Sequence, residues 1–170
     1  MKKYTISLLT AYTKNTRIIG SQGKIPWNIP SERNRFKAIC RSKKVIMGRK
    51  TFCEIGHALP YCTIVIISKT MKDCPPGCEL FTSLKKAVKA IAKDEKKQNP
   101  GKIPEILICG GESIYRQTIK KADIIYATEI HADFSGDTFF PELNKHWKKI
   151  STEQKEENGI RYDYITYKRF

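Results

Sequence analysis

Carboxylates are scarce in this chain, which sets 17 Asp and Glu against 32 Lys and Arg for a formal charge of +15 over 170 residues. That imbalance brings nucleic acid into view, because a basic protein draws in polyanions and raises their encounter rate. The cations, however, run the length of the chain, at 14, 17, 24, 43, 44, 85, 86, 89, 93, 96, 97, 120, 121, 148 and 149, rather than gathering in a tail. No nucleic-acid-binding motif accompanies them, so no specific nucleic-acid partner is expected. A scattered basic surface suits small polyanions instead.

Other absences narrow the class further. No apolar run approaches membrane-spanning length, so no membrane partner is expected. The opening Met1-Lys2-Lys3 leads into Ile6-Ser7-Leu8-Leu9, which Thr10 and Thr13 interrupt too soon for a secretory signal core. Cysteines fall at 40, 53, 62, 74, 78 and 109. Only Cys74 and Cys78 are close, and no second Cys or His pair completes a zinc set, so no metal is expected. Reduced thiols and a cytoplasmic location follow. With 40% hydrophobic residues, the chain has core enough for a single domain, 1–170, without staples.

What the sequence does contain begins with one carboxylate in apolar company. If Ser31 to Cys40 is helical, Glu32, Phe36 and Ile39 fall at i, i+4 and i+7 on one face. Burial there raises a carboxyl pKa, which is what delivering a proton near neutral pH requires. An acid at the positive end of a helix dipole is the plainer alternative.

Two strand-to-helix junctions follow. The first, Val45-Ile46-Met47-Gly48-Arg49-Lys50-Thr51-Phe52, ends a β-branched run at a glycine and places two cations and a threonine at a helix start, an arrangement suited to phosphate. It lacks the spacing of a P-loop, and a solvated basic turn is the alternative. The second, Ile106-Leu107-Ile108-Cys109-Gly110-Gly111-Glu112-Ser113-Ile114-Tyr115, runs a buried-type strand into paired glycines that let a ligand approach the backbone. A G-x-G-x-x-G fingerprint is absent, which argues against an ordinary Rossmann site. Two such junctions suggest an extended ligand with more than one phosphate.

Patterning places strands at Tyr4 to Ala11, Lys44 to Met47, Thr63 to Ser68 and Ile124 to Ile130, with a long turn-rich loop over Tyr12 to Pro30. Ser83 caps a helix whose inner stripe is Leu84, Ala87, Val88, Ile91 and Ala92. Lys93 to Pro104 reads as a polar surface turn region, and Ala132 to Pro141 as a loop. Trp147 to Gln154 and Tyr162 to Lys168 read as a hairpin around Glu157-Asn158-Gly159. This alternation implies an α/β domain with a mainly parallel, mixed sheet flanked by helices.

Taken in order, Ile19-Gly20, Pro26-Trp27, Glu32 with Phe36, Val45 to Phe52, Ile55-Gly56, Leu59-Pro60, Gly110-Gly111 with Ile114-Tyr115, and Gly136-Asp137-Thr138-Phe139-Phe140-Pro141 closely resemble the dihydrofolate reductase family over nearly the whole chain. The resemblance implies about eight strands and four helices, NADPH as cofactor, and reduction of dihydrofolate by hydride transfer. It makes Glu32 the acid that binds the pterin's amidine edge and promotes ring-nitrogen protonation, with Thr128 hydrogen-bonded to it. Trp27 becomes the roof that helps hold an ordered water. Phe36 would sandwich the substrate, with Leu9, Ile55 and Leu59 as apolar walls.

For the cofactor, the resemblance assigns Ala11, Ile19 and Gly20 to the nicotinamide amide, and Gly110 and Gly111 to the diphosphate. Tyr115 would lie beside the nicotinamide, and Gly48, Arg49, Lys50 and Thr51 would form the phosphate-binding turn. Lys69, following Ser68, is placed for the adenosine phosphate, which favours NADPH over NADH. Gly20 to Lys24 would act as a lid supported by Asp137. A monomer is expected.

Two departures stand out. The family's tail-binding arginine should follow Leu59-Pro60 by two positions, where this chain has Cys62. Directly after the acid, where an apolar residue is usual, stands Arg33. Arg33 is expected to reach across the cleft to the tail carboxylate, with Lys37 as a tail-side partner, and to crowd diaminopyrimidine antifolates. A surface arginine pointing away is the alternative. Cys62 also keeps open reduction of another pterin or a ribosylated pyrimidine without the glutamate tail. A non-catalytic nucleotide-binding protein on the same fold is the third possibility.

Overall fold

The computed structural model describes residues 3–170. Met1 and Lys2, where the signal-segment reading begins, lie outside the described residues. In chain order the elements are β1 (Thr5–Thr13), β2 (Ile18–Gly20), α1 (Pro30–Cys40), β3 (Lys44–Gly48), α2 (Arg49–Ile55), β4 (Thr63–Ile67), β5 (Cys78–Phe81), α3 (Leu84–Gln98), β6 (Glu105–Ile108), α4 (Glu112–Thr118), β7 (Ile124–Ile130), β8 (Thr138–Phe139), β9 (Trp147–Glu157) and β10 (Ile160–Arg169).

Eight of the strands form one sheet in the order β5-β4-β3-β6-β1-β7-β10-β9, while β2 and β8 pair separately. Pairing is parallel from β5 through β7, and β10 alone is reversed in this sheet, running antiparallel to both of its neighbours, β7 and β9. The closing hairpin turns at Asn158 (φ 51°) and Gly159 (φ 74°), both in the left-handed region that a two-residue turn needs.

Alternation along the central strands decides which helices cover which face. Leu8, Ile46, Val65, Ile106 and Ile108 face one side, where they meet Ala87, Val88 and Ile91 of α3 and Ile114 and Tyr115 of α4. Leu9, Val45, Met47, Ile64, Ile66 and Leu107 face the other, against Phe36 and Cys40 of α1 and Phe52 of α2. Near-continuous burial along these strands is the signature of a parallel sheet covered on both faces.

The expected sheet and helix set are present, with local corrections. β1 continues to Thr13 rather than stopping at Ala11, and β2 lies within the segment read as loop. β8 likewise interrupts the Ala132 to Pro141 loop. Helix α3 extends to Gln98, through residues read as a turn region, because Lys, Glu and Gln are good helix formers even without an apolar stripe. Asp94 on that extension accepts from Lys44 Nζ at 3.0 Å. Asn99 ends the helix, its N–H donating to the Glu95 carbonyl. Strand β5, half-buried at the sheet edge, has no apolar alternation that would announce it.

Candidate active site

Strands β3 and β6 are sheet neighbours, yet α2 leaves β3 toward one face and α4 leaves β6 toward the other. Opposite departures open a crevice beyond the carboxyl ends of the strands, where α/β sheets bind ligands. The cleft here has a volume of about 1310 Å³, and its lining draws on β1, β2, α1, the β3–α2 junction and the β6–α4 junction. The Gly48 N–H donates to the Gly110 carbonyl at 2.9 Å, tying the two junctions together.

Helix α1 delivers the acid. Pro30 opens the helix, and Glu32 in its first turn shares the inner side with Arg35, Phe36 and Ile39. Glu32 Oε1 accepts from Thr128 Oγ1 at 3.3 Å, and Thr128 is fully buried on β7. Burial pushes the Glu32 carboxyl above its ordinary range; the Thr128 hydrogen bond and the charges of Arg35 and Arg33 pull it partly back. Trp27 is buried beside it, edge-on to Phe134 at 5.7 Å, and both Trp27 and Phe36 line the cleft.

On the opposite wall, Tyr115 donates from its hydroxyl to the Leu9 carbonyl at 2.6 Å and packs against Phe140. Burial drives its pKa far upward, so it remains a neutral donor that fixes the backbone of β1 at the cleft. Leu9, Ala11, Ile19, Gly20, Gly48, Arg49, Lys50, Thr51, Gly110 and Gly111 all line the same cavity. Arg49 and Lys50 are exposed, and among the described residues neither forms an ion pair.

The loop over the cleft is tied down from a distance. Ser21 and Lys24 exchange backbone hydrogen bonds at 2.8 and 3.0 Å, the Gln22 N–H donates to Asp137 Oδ2 at 3.1 Å, and the Asp137 N–H donates to the Gly20 carbonyl at 3.1 Å. Gly136 lies so close that a Cβ there would overlap both Ile18 and the Gly20 carbonyl. Gly136→Ala is therefore expected to part the two segments and slow turnover by about tenfold, with far less effect on the melting temperature. Steady-state rates beside thermal melts measure that split.

Several sequence-assigned residues stand outside the cavity lining. Ile55 and Leu59 are half-buried and pack with Phe36 in the apolar cluster under α1. Ser68 is buried, and its Oγ accepts from the N–H groups of Thr70 and Met71 in its own turn, while Ile67 lines the cleft and Lys69 is exposed. Arg33 does not reach across the cleft. One position after Glu32, it is turned about 100° around the helix, and its Nη1 donates to Asn28 Oδ1 at 2.7 Å. Lys37 is exposed and outside the cavity lining, with its Nζ 5.5 Å from the centre of the Tyr61 ring.

Sequence reasoning passed over Arg35, which contacts Thr128, and Glu112, whose carboxylate accepts from Arg116 and from the Phe139 N–H. Arg35 had a detectable signal, standing three residues after Glu32 on the same face. Glu112 had only the i,i+4 spacing to Arg116 on α4, since its other partner, the Phe139 N–H of β8, comes from 27 residues away. Among the described residues, no group of His, Cys, Asp and Glu is placed to hold a metal ion, and no helix is long and apolar enough to cross a membrane.

Known proteins share this arrangement. The family model described as dihydrofolate reductase matches residues 5–169. Dihydrofolate reductase of Bacillus subtilis is 33% identical over 168 residues, covering 96% of this chain and 94% of that one. The Staphylococcus haemolyticus enzyme of the same name is 34% identical, with 96% and 95% covered. Among solved structures, dihydrofolate reductase from Enterococcus faecalis complexed with NADP(H) and RAB-propyl superposes with a TM-score of 0.84 at 26% identity, covering 97% of this chain and 96% of that one. On these matches and on the geometry of its cleft, the chain belongs to the dihydrofolate reductase family.

Proposed function

We propose that this chain catalyses NADPH-dependent reduction of 7,8-dihydrofolate to 5,6,7,8-tetrahydrofolate. The observation that carries the reading is a half-buried glutamate, Glu32, hydrogen-bonded to Thr128 in the wall of a cleft whose other side is the bare backbone of Gly110 and Gly111. Those glycines, with Gly48, Arg49, Lys50 and Thr51, fit an extended phosphate-bearing dinucleotide, and Ala11, Ile19 and Gly20 fit its nicotinamide amide. When bound, NADPH supplies the hydride.

The chain's own residues supply position and protons. Glu32 pairs with the pterin's amidine edge and favours protonation of the adjacent ring nitrogen. Phe36 and Leu9 hold the ring flat, and Trp27 screens it from bulk water. The reading takes the chain as a monomer in the cytoplasm, acting on small molecules and on no specific nucleic acid. Following NADPH oxidation with dihydrofolate present tests it; a purified, folded chain that binds NADPH and never oxidises it with any pterin would overturn it.

One observation favours a second substrate class. Cys62 stands where a tail-binding cation is expected, and burial, followed by Cys40 and Cys78, pushes its thiol up to about 11, so it stays neutral. Lys37, above the neighbouring Tyr61, is the cation we assign to the tail carboxylate. Lys37→Ala should raise KM for dihydrofolate about tenfold and leave a tail-less dihydropterin unaffected. An unchanged KM for dihydrofolate would favour a substrate without the glutamate tail.

A further inference from the structure

Arg35 lies behind the acid, at a place where a cation is costly unless it works. Its Nη1 donates to Thr128 Oγ1 at 3.1 Å and to the Ala127 carbonyl at 3.2 Å, and its guanidinium carbon sits 4.3 Å from the centre of the Tyr164 ring. The side chain is thereby held between the β7 backbone and a ring on β10. Guanidinium has no acceptor, so in this contact the Thr128 oxygen must accept. A hydroxyl has one proton, and the remaining partner within reach is Glu32 Oε1 at 3.3 Å.

We propose that Arg35 is a positioning residue for the reaction, directing the Thr128 hydroxyl proton onto Glu32 and holding that carboxylate ready in its ionised form. The inference rests on Glu32 being the acid that governs pterin protonation. Two effects of one side chain act together. Arg35 removes the hydroxyl's freedom to point elsewhere, and it sets a fixed positive charge beside an acid whose ionised form burial disfavours.

The charged and titratable groups facing Glu32 are Arg33 and Arg35 from α1, Tyr164 from β10 and Tyr115 from α4, with the Thr128 hydroxyl from β7. Arg35 in turn faces Glu153 of β9 and Tyr126 of β7. Arg33 is exposed and bonded to Asn28, so Arg35 is the cation at Glu32 that also grips the acid's own hydrogen-bond donor. No distant residue is needed to complete the relay.

The experiment is single-turnover hydride transfer across pH for the wild type, Arg35→Lys, Arg35→Gln and Arg35→Met, with the two neutral variants guarding against failure of either to fold. Removing the charge lets Glu32 hold its proton to higher pH. The ratio of neutral-variant rate to wild-type rate should therefore rise about fivefold between roughly pH 6 and roughly pH 9. Arg35→Lys, which keeps the charge, should track the wild type in profile.

The loss of orientation should lower the low-pH rate of Arg35→Gln about threefold, and that loss should vanish when Thr128 is already Val. Rates that fall by the same factor at every pH, or that match the wild type throughout, would overturn the proposal. A wild-type protein without any dihydrofolate-dependent NADPH oxidation would instead remove the assigned reaction, so the two failures are distinguishable.

Discussion

Replacing Glu32 with Gln is expected to slow hydride transfer to dihydrofolate by about 100- to 1,000-fold at neutral pH and to flatten its pH dependence. Glutamine keeps the shape and can still accept from Thr128, so the apolar packing of α1 is preserved. It cannot carry the negative charge that pairs with the pterin's amidine edge, nor favour a proton on the neighbouring ring nitrogen. Single-turnover rates against pH measure the loss. A variant as fast as the wild type across the range would remove Glu32 from the chemistry.

Stability should move the opposite way. Burial is the leading cause raising the folded-state pKa of Glu32 above its unfolded value. The folded chain therefore holds the proton more tightly than the unfolded chain, and ionisation opposes folding. Below the ordinary carboxylate range both states are protonated and no penalty exists. It grows as pH rises through the window between the unfolded and the raised folded pKa, and is constant above. Glu32→Gln should accordingly gain stability relative to the wild type with rising pH, which denaturant titrations at a series of pH values would show. Lower activity with higher stability is the expected mark of an acid placed for function rather than for the fold.

The features legible in sequence were those with a local period or a local exception. β-branched runs in β1, β3, β4, β6 and β7 identified the parallel centre, and the placement of Glu32 among apolar neighbours marked it as the candidate acid. The glycine junctions marked the cleft because a strand that stops at glycine and restarts as a helix is visible within ten residues. What escaped was set by partners far along the chain. β5 is an edge strand without alternation, β2 and β8 are short strands held by each other, and the end of α3 carries charge rather than an apolar stripe.

The site shows the same division. Glu32 and Phe36 share the inner side of α1 because helical spacing is short-range geometry, whereas the Thr128 partner of Glu32, 96 residues away, was expected only from the family resemblance. Arg33 was misplaced because a long side chain chooses its partner after folding, and Asn28 lies nearer than the opposite wall. Arg35 passed unnoticed because a cation inside an apolar stripe reads as an error until its acceptors on β7 are known.

Gly110→Ala is expected to weaken NADPH binding by about 10- to 100-fold while leaving most of the fold in place. Gly110 has φ +121°, a backbone region that an L side chain enters only at a cost of about 1–3 kcal/mol. A Cβ there would also meet the Tyr115 hydroxyl at 3.4 Å. That contact is tolerable, so the backbone supplies most of the strain. Relief requires the turn to shift, and the turn is not free: its carbonyl accepts from Gly48 N–H, and the Cys109 N–H donates to the Ile46 carbonyl. Moving it would displace both strand-to-helix junctions and the bare surface assigned to the diphosphate. Fluorescence titration with NADPH measures the affinity, and a thermal melt without cofactor measures the strain separately. Unaltered affinity together with a lowered melting point would show that the turn matters to the fold alone, and would take the diphosphate away from Gly110 and Gly111.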